Sequence, residues 1–301
     1  MYRTHLFLLF AVLLISSSNA SAAIAVFTCE PEWKALAEEI GGDKVTAFTA
    51  TTAKQDPHHI QARPSLIAKL RRADLLICSG AGLEEGWLPL LLRRARNPNV
   101  QSGQPGHLMA AEHVPLLEIP TRLDRSKGDI HSQGNPHIHL DPRNLQRLAE
   151  VTAERMAHLD PGNTVHYQAR LRDFERRWNN ALTGWEHDSE VLHGRSAIVH
   201  HMEWIYLLNW LGMERLAALE PKPGLPPSAG HLKRLKTLLE KQSALAIIRS
   251  TRADQRPSDW LAAQSGAPVV VLPYTVGATE ESGDLFRLFE EIIKQLVAQP
   301  R

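Results

Sequence analysis

The sequence predicts an α/β fold of two Rossmann-like lobes joined by one long linking helix, with a cleft between the lobes. Three observations carry this expectation. Short apolar β-type runs alternate with helix-period stretches in both halves, the pattern of parallel strands with helical crossovers. An apolar stripe at helical spacing, too long for one small domain, separates the two halves. With 43% hydrophobic residues, the chain also has material for two cores.

Residues 1–22 read as a removable address. MYRTH is followed by the apolar run LFLLFAVLLI and by small residues, with Ala20-Ser21-Ala22 as the expected cleavage site. The apolar run falls short of the roughly 20 residues a bilayer-spanning helix needs. No cysteine stands at the cleavage point to take a lipid, so the mature chain is expected to begin near Ala23, soluble and exported. Formal net charge is +1, and the mature chain loses Arg3 with the signal. That balance gives no reason to expect nucleic acid or an anionic membrane as the main partner. About 280 residues remain, enough for two domains.

Residues 23–159 form the expected first lobe. Strand IAVFT leads into a helix over 31–40, then strand KVTAF, a loop, and a helix from about Pro64. Strand DLLIC follows, then LEEGWLPLLLRRA as a helix, PLLEIP as a strand-like run, and PRNLQRLAEVTAERMAHL as the closing helix. The linking helix is expected over 160–188. Asp160 suits its N-cap and Pro161 its first position. Tyr167, Leu171, Phe174, Trp178, Ala181, Leu182 and Trp185 would form its apolar stripe, over a length of about 40 Å. Residues 189–301 form the second lobe: strand RSAIVH, helix MEWIYLLNWLGM, the stiff loop EPKPGLPPSAG and a helix near 230–242. Strand ALAIIRS, a helix over 257–265, strand PVVVL and a terminal helix from about 281 complete it.

Cys29 and Cys78 each end an apolar β-type run. In an oxidising compartment, neighbouring strands would bring them together as a disulfide; the alternative is two separate buried thiols.

Histidine is the unusual count, at 15. His58 and His59 lie in QDPHHIQARPS, His137 and His139 in GNPHIHLDP, and His200 and His201 in AIVHHMEW. Each pair falls at an element boundary facing the cleft, and segments distant in sequence that meet in one cleft are what a tight ion site needs. A single loop histidine would be unremarkable.

In order and spacing, DPH…PS, NPHIHLDP and HMEWIYLLNWLG resemble motifs of the solute-binding proteins of bacterial zinc and manganese ABC importers, the ZnuA/TroA-like family. The resemblance covers the whole mature chain. It implies a periplasmic, monomeric receptor that delivers metal to an ABC permease of the inner membrane. It places the metal ligands on His58, His137 and His201, the last chosen over His200 by its distance from Gly212. His59, His139 and His200 then become neighbours at the rim or behind the ligands. The family's fourth ligand, an aspartate after a late strand, has no counterpart in VVVLPYTVG, where Pro273 stands at about that place. Water, Glu280, Glu281, Asp284, His139 or His59 is left to fill it. The long His-rich insert of zinc relatives shrinks here to DRSKGDIHSQG, with His131 left for a weaker ion-gathering role.

A third histidine in place of a glutamate resembles the zinc-selective members, and imidazole favours Zn2+ over Mn2+, which prefers oxygen ligands. A secreted zinc hydrolase is the alternative of a different class, because three histidines and a water also describe a catalytic zinc. No HExxH or GxSxG motif supports it. A zinc-binding adhesin or chaperone on the same fold is the third possibility.

Overall fold

A computed structural model of the protein describes residues 23–120, 131–222 and 224–299; the expected signal peptide lies outside these. In the first lobe, β1 (Ile24–Thr28), β2 (Val45–Thr49), β3 (Leu75–Cys78) and β4 (His107–Met109) pair in parallel in the order β2-β1-β3-β4. The two inner strands, IAVFT and LLIC, are apolar almost throughout and buried on both faces, as strands covered by helices on both sides must be. The covering helices are α1 (Pro31–Gly41), α2 (Pro64–Leu70), α3 (Leu88–Ala95) and α4 (Pro142–Leu159). Each opens with proline in its first or second position, where the missing N–H costs nothing and φ is already helical.

α5 (Thr164–Ser189) joins the lobes and follows a 3₁₀ turn over Pro161–Asn163. Asp160 does not cap it as expected, because its carboxylate is taken by the Tyr167 hydroxyl and the Asn163 amide. Along one face Tyr167, Phe174, Trp178 and Trp185 are buried. The helix packs against α1 and α4 of the first lobe and α9 (Leu285–Val297) of the second. Trp178 holds both: its indole N–H donates to the Pro142 carbonyl at 2.9 Å, and its ring meets Phe286 and Phe289 edge-on.

The second lobe repeats the plan with β5 (Ser196–Val199), β6 (Glu214–Ala218), β7 (Ala246–Ser250) and β8 (Val269–Leu272), parallel in the order β6-β5-β7-β8. Its other helices are α6 (Ile205–Trp210), α7 (Ala229–Leu239) and α8 (Gln255–Ser265). Gly212 turns the chain from α6 toward β6 at φ +62°, where a Cβ would come within 2.4 Å of the His193 ring.

Several elements differ from expectation. PLLEIP forms no strand: a proline at each end removes a ladder donor, and the Leu117 N–H bonds instead to the Tyr206 hydroxyl. Two of the four edge strands, HLM and ERLAA, were not expected, one being too short and the other too charged at its start to be read as a strand. LEEGW precedes α3 and does not belong to it, because the Glu84 carboxylate turns back to accept from the Ser79 and Gly80 N–H groups. MEW is a 3₁₀ turn ahead of α6, and the terminal helix begins after Asp284 caps it.

Cys29 and Cys78, one residue past the tips of the neighbouring β1 and at the end of β3, form a disulfide with Cα atoms 4.8 Å apart. Beside it Glu30 and Glu84 are buried in hydrogen-bond contact and can share one proton. Burial and the neighbouring Glu84 charge push Glu30 well above the carboxylate range, and burial pushes Glu84 up to about 7. Below the unfolded pKa of about 4.3 both states are protonated and the pair costs nothing. As pH rises from there, the native state keeps protons that the unfolded state has released, and stability falls, less steeply once Glu84 ionises and only Glu30 still holds its proton. Glu84→Gln should therefore raise the melting temperature, with a gain that widens between pH 5 and pH 7 and levels off by pH 8. A gain that is the same at every pH would contradict the shared proton.

Candidate metal centre

Both parallel sheets turn the carboxyl ends of their strands toward the space between the lobes, the usual ligand side of such sheets. The loop after β2 carries His58, and the segment entering α4 carries His137. His201 follows β5, Glu220 follows β6, Arg252 follows β7 and Tyr274 follows β8. One ring nitrogen from each of His58, His137 and His201 lies within 4.8 Å of the others.

The two Pro-His turns are built alike. Asp56 Oδ1 accepts from the His58 backbone N–H at 3.0 Å, and Asn135 Oδ1 accepts from that of His137 at 3.1 Å, each two residues on. The second oxygen bond differs. Asp56 Oδ1 also takes His58 Nδ1 at 2.7 Å. The Asn135 amide instead donates to the Met202 carbonyl of the second lobe and to Glu118. His137 Nδ1 is met by the hydroxyl of Tyr274, at 2.8 Å from the other lobe. Glu220 Oε2 holds His201 Nδ1 at 2.7 Å.

All three rings therefore have Nδ1 engaged by an oxygen, and the nitrogen left for an ion is Nε2 in each. Partners of this kind fix both tautomer and ring direction.

Arg252 braces these supports. It pairs with Glu203 at 2.8 Å, lies 3.6 Å from Asp56 Oδ2, and stands over the Tyr274 ring at 4.8 Å. Burial alone would raise the Asp56 pKa, but the His58 hydrogen bond and the charges of His58 and Arg252 hold its carboxyl far below the usual range. Burial, then the neighbouring imidazoles His58 and His201, push His137 well below its ordinary value. For His201 burial acts in the same direction, yet the Glu220 hydrogen bond and the Glu203 and Glu220 charges overcome it and the pKa is raised. A polar cavity of about 220 Å³ borders His58, His201 and Glu220, walled by Pro226, Pro257 and Arg252.

The remaining sequence candidates lie elsewhere. His139 is buried, with Nε2 on the Tyr274 carbonyl at 2.9 Å and Nδ1 3.3 Å from Glu32. His59 is exposed. Glu280 is exposed, Glu281 faces Lys294, and Asp284 caps α9, so none of the three acids lies at the three nitrogens. His200 sits behind His201, 3.7 Å from the other Glu220 oxygen. His131, by contrast, reaches the cluster, its Nε2 3.2 Å from that of His58. Sequence reasoning named neither Tyr274, Arg252 nor Glu220. Tyr274 directly follows Pro273, so the place of the missing aspartate was the available signal.

The chain belongs to the family of the periplasmic zinc-uptake complex component A (ZnuA), whose model matches residues 26–299. It is 24% identical over 261 residues to the high-affinity zinc uptake system protein ZnuA of Yersinia pestis, covering 79% of this chain and 78% of that protein. It is 21% identical over 281 residues to the manganese ABC transporter substrate-binding lipoprotein PsaA of Streptococcus pneumoniae, covering 90% and 86% respectively. A crystal structure of ZnuA superposes with a TM-score of 0.74 at 25% identity, covering 91% of this chain and 99% of that one. A zinc-bound ZnuA with residues 138–173 of its own sequence deleted gives 0.73 at 26%, covering 92% and 100%. The family and these relatives are substrate-binding components of transporters and not enzymes, which sets the hydrolase alternative aside. Among the described residues, no helix is long and apolar enough to cross a membrane.

Tyr274→Phe keeps the ring and removes the hydroxyl, leaving His137 Nδ1 buried without its partner. The expected loss, read by urea unfolding of the metal-free protein, is about 1–3 kcal/mol. An unchanged midpoint would mean that the hydroxyl does not support His137.

Proposed function

We propose that this protein is a periplasmic zinc receptor that holds Zn2+ between its lobes on Nε2 of His58, His137 and His201 and hands it to a membrane ABC permease. The convergence of these three nitrogens, each with Nδ1 already engaged, carries the reading. Charge supports it. Asp56 and Glu220 are one bond removed from the ion position and together match a divalent cation, while Glu203 is offset by Arg252.

Zinc is favoured over manganese by the donor set. The carboxylates that manganese would want are spent on Nδ1 groups and are not free to coordinate. Family membership supports the transport role, and similarity to both a zinc and a manganese receptor leaves the choice of ion to this chemistry. The chain is expected to act as a monomer, exported by residues 1–22.

Two of the ligands come from the first lobe and one from the second, so a shift between lobes on docking would loosen the ion. Polar contacts across the cleft resist that shift until docking: the Tyr206 hydroxyl donates to the Asn135 carbonyl at 2.7 Å, and the Thr275 hydroxyl donates to Glu32.

Equilibrium competition against a zinc chelator should give one tightly held zinc per mature chain, with manganese a poor competitor. His58→Ala, His137→Ala and His201→Ala should each weaken zinc binding by about 100-fold or more, since losing a support one bond further out already costs 10–100-fold. His59→Ala should bind as the parent does. Wild-type affinity in all three variants would overturn the site, and metal-dependent hydrolysis abolished by His137→Ala would overturn the receptor role.

A further inference from the structure

We infer that His131 is a fourth imidazole ligand of the same ion, closing an all-histidine site; this rests on the zinc-receptor reading above. Its Nε2 stands 3.2 Å from His58 Nε2, with the rings stacked at 5.2 Å between centroids and 6.3 Å to the His137 ring. An ion bound tetrahedrally at 2.0–2.1 Å places neighbouring nitrogens about 3.3 Å apart. The gap between His58 and His131 matches that spacing, while His131 stands outside the set of three nitrogens that lie within 4.8 Å of one another.

His131 turns the same ring nitrogen inward as the other three. With Nε2 turned to His58, its Nδ1 lies against Gly82. Gly82 has φ +89°, a conformation that side chains rarely adopt, and a Cβ there would stand 3.3 Å from His131 Nδ1. A glycine at this place thus gives the ring room. Asp56, Tyr274 and Glu220 hold Nδ1 of the other three, and His131 likewise presents Nε2 to the cluster.

Among the described residues, none of the side chains named from the sequence competes for the fourth position: His59 and Glu280 are exposed. His139 has both nitrogens turned to Tyr274 and Glu32, and Glu281 and Asp284 are engaged at α9. The chemical consequence is a neutral nitrogen donor where the family resemblance implies an acid. Four imidazoles favour ions toward the middle and right of the first transition row, Co2+, Ni2+, Cu2+ and Zn2+, and disfavour Mn2+.

Metal-free mature protein titrated with Co2+ as an optical stand-in for zinc tests this, together with zinc release into excess chelator. The parent should show the intense visible bands of a four-coordinate nitrogen site. His131→Ala should still bind one ion per chain, with weaker, shifted bands as water enters. Its zinc affinity should fall by about 10–100-fold and its release should accelerate. His59→Ala, one residue from a ligand but exposed, should match the parent in all three measurements. A parent that binds and a His131→Ala variant with the same spectrum, affinity and release rate would reduce His131 to an N–H cap on His58 and overturn the inference alone. A parent that binds neither ion would remove the receptor reading, and this inference with it.

Discussion

An imidazole has two nitrogens, and only one of them can face an ion. Much of the polar structure between these lobes answers that constraint. The nitrogen that faces away from the site needs an oxygen, or a buried donor is left without a partner and the ring is free to flip. Asp56, Tyr274 and Glu220 supply those oxygens for His58, His137 and His201. With them in place, the three Nε2 atoms are the nitrogens left to converge.

The supports are exchanged between lobes. His137 enters from the first lobe but is oriented by Tyr274 of the second, and Asp56 of the first lobe is steadied by Arg252 of the second. Neither lobe holds a complete set. This explains why the interlobe surface carries so many buried polar groups, including His139 with Glu32 and Thr275, although such groups are costly to bury. It also explains why α5 is a long, aromatic-faced helix packed against both lobes: an exchange of this kind needs lobes whose relative position is held.

Much of this was legible in the sequence. The alternation of apolar runs and helical stretches pointed to two parallel-sheet lobes, the stripe from Tyr167 to Trp185 to the linking helix, and the paired strand ends to the Cys29–Cys78 disulfide. Elements whose form depends on a distant partner were not legible. PLLEIP looks like a strand until its prolines and the Tyr206 hydroxyl are considered. LEEGW looks helical until Glu84 is seen bonding back to Ser79 and Gly80. At the site, the three convergent histidines sit in recognisable motifs, and for His58 and His137 an Asx turn sets the Pro-His pair locally. Tyr274, Arg252 and Glu220 bear no local mark of their roles, since each acts on a residue more than 18 positions away or in the other lobe. His131 could be noticed in the sequence but not placed, because only the fold brings Gly82 beneath it.

In the proposed site the ion is held by Nε2 of His58, His137 and His201 while Nδ1 of each stays with its oxygen. A crystal of the mature protein grown with zinc, with anomalous diffraction recorded on both sides of the zinc absorption edge, tests this directly. One strong peak bonded to those three Nε2 atoms is expected, with Asp56, Tyr274 and Glu220 still on Nδ1. A peak bonded through Nδ1, or lying away from the three rings, would contradict it.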